Sequence, residues 1–226
     1  MQLTVPVIGI LRGVSADLFG EIMAAAFAAG LEAIEVTMNT EGAEGIVSRF
    51  RAAVPEGKYL GMGTIRNVIE AERAKNAGAM FMVTPNLDRM VIARANTHGI
   101  PIIAGAFTPT EVYQAWDSGA DMVKVFPCRT GGPVYIRELR GPFDRIPLVA
   151  VGGVTFANVQ EYLAAGAVAV GVGASLFGAD AMRQRDMEEV GRNLKQFISR
   201  CRPIAQDENL IGSKPRNMLQ EREEDV

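Results

Sequence analysis

The chain has 226 residues, 48% of them hydrophobic and 22% charged, as expected of one large globular domain. A formal net charge of −3 offers no electrostatic footprint for a nucleic acid or an anionic membrane, and no apolar run approaches the roughly 20 residues that span a bilayer. Two cysteines cannot build a disulfide framework, and the opening Met-Gln-Leu-Thr-Val-Pro-Val lacks the basic and apolar regions of an export signal, so a reducing cytoplasm is the expected location.

Short, apolar, β-branched runs recur along the chain at 5–11, 33–38, 59–62, 80–84, 101–106, 122–126, 147–151 and 167–172. Helix-like stretches with apolar residues three and four apart lie between them. Examples are 15–29, where Ser15 and Asp17 suit a helix start, then 65–77 and 109–118. Strict β-α alternation predicts a parallel sheet with right-handed crossovers, and eight such units predict an α/β chain closed into a (β/α)8 TIM barrel. No Gly-x-Gly-x-x-Gly follows the first strand, which argues against an open dinucleotide-binding sheet. The barrel is expected over residues 1–202. A polar C-terminal tail is expected over 203–226, ending Gln-Glu-Arg-Glu-Glu-Asp-Val.

Active-site groups of such barrels come from the C-terminal ends of the strands and the loops after them. Strand one ends in Arg12 and Gly13, strand two carries Glu35 and is followed by Asn39, and strand three ends at Gly63 and Thr64. Strand four ends Thr84-Pro85-Asn86, strand six carries Lys124 and then Phe126 and Pro127, strand seven runs into Gly152-Gly153, and strand eight into Gly173-Ala174-Ser175. Arg12, Glu35 and Lys124 are charged residues set in apolar strands. Alternation places Val123 and Val125 on one face and Lys124 on the other; with the valines toward the helices, Lys124 faces the barrel interior. The same parity sends Glu35 there. A buried structural ion pair, or a lysine snorkelling outward between helices, is the plainer alternative.

The chain has a single histidine, which leaves little material for a metal site or a histidine-activated nucleophile. His98 sits just before a glycine at the end of a helical pattern, where a cation complements the helix dipole. The chemistry therefore falls to lysine and carboxylate, with no metal and no cofactor expected. A free lysine with a pKa of ~10.4 is almost wholly protonated at neutral pH. Burial and a neighbouring cation such as Arg12 lower that value and free the amine to attack a carbonyl. The resulting iminium is an electron sink for a carbanion on the next carbon, and Glu35 is placed to shuttle the proton. Backbone N–H groups of Gly152, Gly153, Gly173, Ala174 and Ser175 match the phosphate site commonly built after strands seven and eight. Cys128 follows the lysine strand and is expected at the mouth as a small residue without a reactive thiol.

Five motifs occur in order: Glu-Val-Thr-Met-Asn at 35–39, Gly-Met-Gly-Thr at 61–64, Val-Thr-Pro-Asn at 83–86, Val-Lys-Val-Phe-Pro at 123–127 and Val-Gly-Gly-Val at 151–154. Together they resemble the class I 2-keto-3-deoxy-phosphogluconate aldolase family over nearly the whole barrel. The resemblance implies Lys124 as the Schiff-base lysine, Glu35 as general acid/base, Thr64 on the carboxylate of the pyruvoyl moiety, and Gly152 and Gly153 on a phosphate. Arg12, Asn39, Pro85 and Phe126 are expected to complete the binding site for a small 2-keto acid, and the resemblance also implies a homotrimer. Arg12 combined with Asn39, and Gly-Gly-Pro-Val-Tyr-Ile after the lysine strand, is more similar to the branch that cleaves 2-keto-3-deoxy-6-phosphogalactonate. Family members commonly carry serine after the last glycine of strand eight, where this chain has Ala174. Three other readings stand beside this one: an aldolase for 4-hydroxy-2-oxoglutarate with the same lysine, a sugar-phosphate isomerase or epimerase, and a non-catalytic metabolite-binding barrel.

Overall fold

The computed structural model describes residues 1–201, and the polar tail expected at 203–226 lies outside the described residues. Eight parallel strands close into a barrel in sequential order. They are β1 (Val7–Leu11), β2 (Ala33–Thr37), β3 (Tyr59–Gly63), β4 (Met82–Val83), β5 (Ile102–Ala106), β6 (Met122–Val125), β7 (Leu148–Val151) and β8 (Ala169–Val172). The crossover helices are α1 (Ala16–Ala28), α2 (Ala43–Phe50), α3 (Val68–Ala77), α4 (Arg89–Thr97), α5 (Pro109–Asp117), α6 (Gly132–Arg140) and α7 (Val159–Ala164). Three more, α8 (Ala174–Phe177), α9 (Ala179–Gln184) and α10 (Met187–Arg200), follow the last strand. The expected (β/α)8 TIM barrel is the fold. None of these helices is long and apolar enough to cross a membrane.

The helix ends follow local chemistry. Ser15 caps α1 by accepting from the Leu18 N–H, and Thr108 with Glu111 forms a reciprocal capping box at α5, with Pro109 in its first turn. Helix α3 begins three residues later than its apolar pattern suggests. Asn67 accepts from the Glu70 N–H and sets the start there, while Ile65 before it is wholly buried. Strand β4 is shorter than the run 80–84, yet Met80 N–H still donates to Leu60 O and Thr84 N–H to Ile103 O beyond its two ends. Helix α10 buries Val190, Leu194 and Phe197, the i, i+4, i+7 stripe of a helix with one face on the core.

Strand parity divides the core in two. Ile34, Val36, Val123 and Val125 belong to the shell between strands and helices. Ile8, Ala33, Phe81, Val83, Ile103, Val149, Val151 and Ala169 fill the barrel itself. Glycines at inward positions make room for that filling. A Cβ on Gly61 would overlap the Phe81 ring, and one on Gly171 would press on Val151 and Ile10. The barrel is thus packed from its bottom to the level of Glu35, which pairs in register with Ile10 and Gly61, and Lys124, which pairs with Gly105 and Val149. Above that level the interior opens.

Candidate active site

The opening is a cavity of about 660 Å³ at the C-terminal ends of the strands. All twelve positions selected from the sequence line it. Glu35 and Lys124 form its floor, with Arg12 and Asn39 on the side of the first two strands. Thr64, Pro85 and Phe126 come from the ends of β3, β4 and β6, and Gly152, Gly153, Gly173, Ala174 and Ser175 form the remaining wall. Strand pairing brings together charges 23 to 112 residues apart in the chain because each sits near the top of its own strand.

Glu35 is 1% exposed and Lys124 6%. Neither forms an ion pair among the described residues, and Glu35 Oε2 accepts no hydrogen bond. The structural ion pair and the outward-snorkelling lysine are both excluded by this geometry. Burial raises the Glu35 carboxyl from its ordinary 4.5 to about 7, against the opposing pull of Lys124 and Arg12. Burial also lowers the Lys124 ammonium, and Arg12 adds to that effect while Glu35 resists it. Lys124 Nζ stands 4.9 Å from the centroid of the Phe126 ring. The floor therefore holds an amine and a carboxyl, each pushed toward its neutral form. Such a pair suits nucleophilic attack and proton transfer near neutral pH.

Packing around these two groups is tight. A Cβ on Gly63 would overlap the Glu35 carboxyl, so the glycine at the end of β3 is what admits that side chain. Thr64 follows with φ of +58°, a left-handed conformation that a β-branched residue rarely adopts. It is held there from both sides: Met38 N–H donates to Gly63 O at 2.7 Å and Ile65 N–H to Val83 O at 3.1 Å. Non-glycine strain of this kind, of order 1–3 kcal/mol, collects at functional sites. On the opposite side, the Thr84 hydroxyl accepts from Gly105 N–H and donates to Asn86 O, which folds the β4 loop over β5 and sets Pro85 against the cavity. Thr84 is thereby structural.

Arg12 is positioned by a hydrogen-bond chain between loops. Gly13 N–H donates to Thr40 Oγ1 at 3.0 Å, and Thr40 Oγ1 meets Thr37 Oγ1 at 3.1 Å. The end of β1 is thus tied to the loop after β2. Arg12 makes no ion pair among the described residues and is exposed at the cavity. At the glycine-rich wall, Gly152 and Gly153 have φ of +93° and +91°, which only glycine adopts without strain. Among the described residues, the N–H groups of Gly152, Gly153, Gly173, Ala174 and Ser175 donate to no acceptor. Five unpaired backbone donors on one wall suit an anion.

One expectation needs correction, and the expected helix-end position of His98 holds. Cys128 does not line the mouth: it is 1% exposed, its thiol donates to Val125 O at 3.1 Å, and burial pushes it up to about 11. His98 lies away from the cavity at the C-cap of α4, with Nε2 3.0 Å from Glu72 Oε1. Arg129 and Met182 line the cavity and were not singled out from the sequence. Arg129 had a signal, as a lone cation in the loop after the lysine strand. Met182 had none, since α9 lies beyond the last barrel unit.

The family model described as KDPG and KHG aldolase matches residues 2–193. The 2-dehydro-3-deoxy-6-phosphogalactonate aldolase of Escherichia coli strain K12 is 31% identical over 198 residues, covering 87% of this chain and 96% of that protein. A probable 2-dehydro-3-deoxy-6-phosphogalactonate aldolase of Rhizobium meliloti strain 1021 is 34% identical over 186 residues, covering 80% and 87%. A solved structure described as native KDPGal superposes with a TM-score of 0.82 at 30% identity, covering 88% of this chain and 96% of that one.

Proposed function

The chain belongs to the KDPG and KHG aldolase family, and from that premise we propose that it cleaves a 2-keto-3-deoxy-6-phospho-aldonate, of galactonate or gluconate type, to pyruvate and glyceraldehyde 3-phosphate. The observation that carries this reading is the buried couple of Lys124 and Glu35, in no ion pair among the described residues, on the floor of a cavity bordered by Arg12. The neutral Lys124 amine adds to the C2 ketone of the substrate and, with loss of water, forms an iminium. Arg12 and Thr64 hold the C1 carboxylate, and Asn39, Pro85 and Phe126 confine the chain. Glu35, as carboxylate, takes the C4 hydroxyl proton through a water. The C3–C4 bond then breaks, its electron pair passing to the iminium as an enamine while C4 leaves as the aldehyde. Glu35 returns a proton to C3, and water releases pyruvate and the lysine. Electron withdrawal comes from the iminium itself, so the mechanism calls for no metal or cofactor.

The five backbone donors of Gly152, Gly153, Gly173, Ala174 and Ser175 support a phosphate at the far end of the substrate. A 4-hydroxy-2-oxoglutarate substrate would use the same lysine and present a carboxylate there instead, which the family's description also accommodates. By the same family resemblance, we infer a cytoplasmic homotrimer.

Borohydride reduction in the presence of pyruvate, followed by peptide mass spectrometry, tests the central step. The expected result is a reduced pyruvate adduct confined to Lys124. Folded protein that traps pyruvate on no lysine would overturn the imine mechanism. A panel of phosphogalactonate, phosphogluconate and 4-hydroxy-2-oxoglutarate substrates then assigns the distal group, and light scattering tests the trimer.

A further inference from the structure

We infer that Arg129, carried on the loop after β6, selects the charge of the distal substrate group and reserves the site for a phosphate dianion. The inference rests on the aldolase reading and concerns the end of the cavity remote from the C1 carboxylate. Among the described residues lining the cavity, the charged ones are Arg12, Glu35, Lys124 and Arg129. The first three are used at the keto-acid end. The glycine-rich wall offers unpaired N–H groups but no charge of its own, and Ala174 offers no hydroxyl. Arg129 supplies the missing cation.

Its placement follows from two features of the backbone. Arg129 N–H donates to Gly152 O at 2.8 Å, which locks the residue to the first glycine of the wall. A Cβ at position 153 would lie 2.7 Å from Arg129 Cβ and 3.0 Å from its Nε, so the arginine side chain runs across the bare face of Gly153. Any side chain at 153 would displace it. Arg129 is exposed and forms no ion pair among the described residues, and of the arginines without one it is, with Arg12, one of the two that line the cavity. An unpaired guanidinium beside a row of unpaired backbone donors is suited to the bidentate, doubly charged recognition of a phosphate. A single carboxylate in the same place would use fewer of these donors and gain half the charge.

The test compares kcat/KM of wild type, Arg129→Gln and Arg129→Lys for a 2-keto-3-deoxy-6-phospho-aldonate and for its unphosphorylated counterpart. Pyruvate trapping on Lys124 is measured for each protein. The expected result is that Arg129→Gln lowers the preference for the phosphorylated substrate at least tenfold, through KM, while pyruvate trapping persists. Arg129→Lys, which keeps the charge and loses the planar fork, falls between. Inorganic phosphate should compete with the phosphorylated substrate in wild type and at least tenfold more weakly in Arg129→Gln. An unchanged preference in both variants, or equal losses on both substrates, would overturn the role of Arg129. Failure of pyruvate trapping in wild type would overturn the aldolase reading instead, so the two failures are distinguishable.

Discussion

Lys124 and Glu35 are each destabilising where they stand. Neither forms an ion pair among the described residues, and Glu35 Oε2 accepts no hydrogen bond to offset its burial, so replacement by an apolar residue of similar size should raise stability while removing function. For Lys124→Met we expect a gain of about 1–2 kcal/mol in denaturant unfolding together with complete loss of pyruvate trapping. A loss of stability would show that the amine is held by favourable contacts. Glu35 makes a second prediction with a definite sign. Its carboxyl rises from 4.5 to about 7 on folding, so folding favours the protonated form. That contribution is complete below about pH 4.5 and is lost as pH rises through about 7. Glu35→Gln cannot ionise, so relative to wild type it should gain on the order of 3 kcal/mol between pH 4.5 and 8. Unfolding midpoints across that range measure it, and parallel curves would remove the raised carboxyl from the account.

Elements position these residues through their neighbours. Gly63 ends β3 at the place where the Glu35 side chain lies, so Gly63→Ala forces the carboxyl aside. The expected outcome is a loss of about 1–3 kcal/mol from overpacking and a fall in kcat well beyond the fall in pyruvate affinity. Equal effects on both would mean that Glu35 had not moved selectively. Thr40 joins the ends of β1 and β2 through Gly13 N–H and Thr37. Thr40→Val keeps the shape and removes the acceptor of that N–H, at about 0.5–1.5 kcal/mol. Its expected kinetic signature is a raised KM for substrate with kcat nearly retained, because Arg12 loses its fixed approach to the carboxylate. A kcat-only effect would contradict this. The barrel order, the alternation and the inward parity of both buried charges were legible in the chain, because a two-residue period is a local property of a strand. The exact ends of α3 and β4 were not, since Asn67 and the ladders flanking Met82 and Val83 outweigh apolar pattern there.

At the scale of the whole molecule, a chain of net charge −3 places two guanidinium groups at its cavity. Arg12 and Arg129 line the cavity, with Lys124 pushed toward its neutral amine and Glu35 the one carboxyl among them. Low-dielectric walls focus such a field and draw in anionic substrate. The expected consequence is a KM for a phosphorylated keto acid that rises several-fold between about 0.01 and 0.15 M salt, where the screening length shortens from about 30 to 8 Å. The unphosphorylated analogue should respond less. Equal salt responses for the two would mean that the distal charge is not felt.

By itself, the sequence determined which residues could enter the barrel and from which strand, since hydrophobic alternation, turn glycines and strand count act over neighbouring residues. It also marked the strand ends at which chemistry could stand. Only the tertiary structure decided that Gly63 makes space for Glu35, that Thr40 braces the Arg12 loop, that Cys128 is shut away from the mouth, and that Arg129 crosses the face of Gly153. Those outcomes depend on side chains from separate strands competing for the same few ångströms, and no local period carries that information.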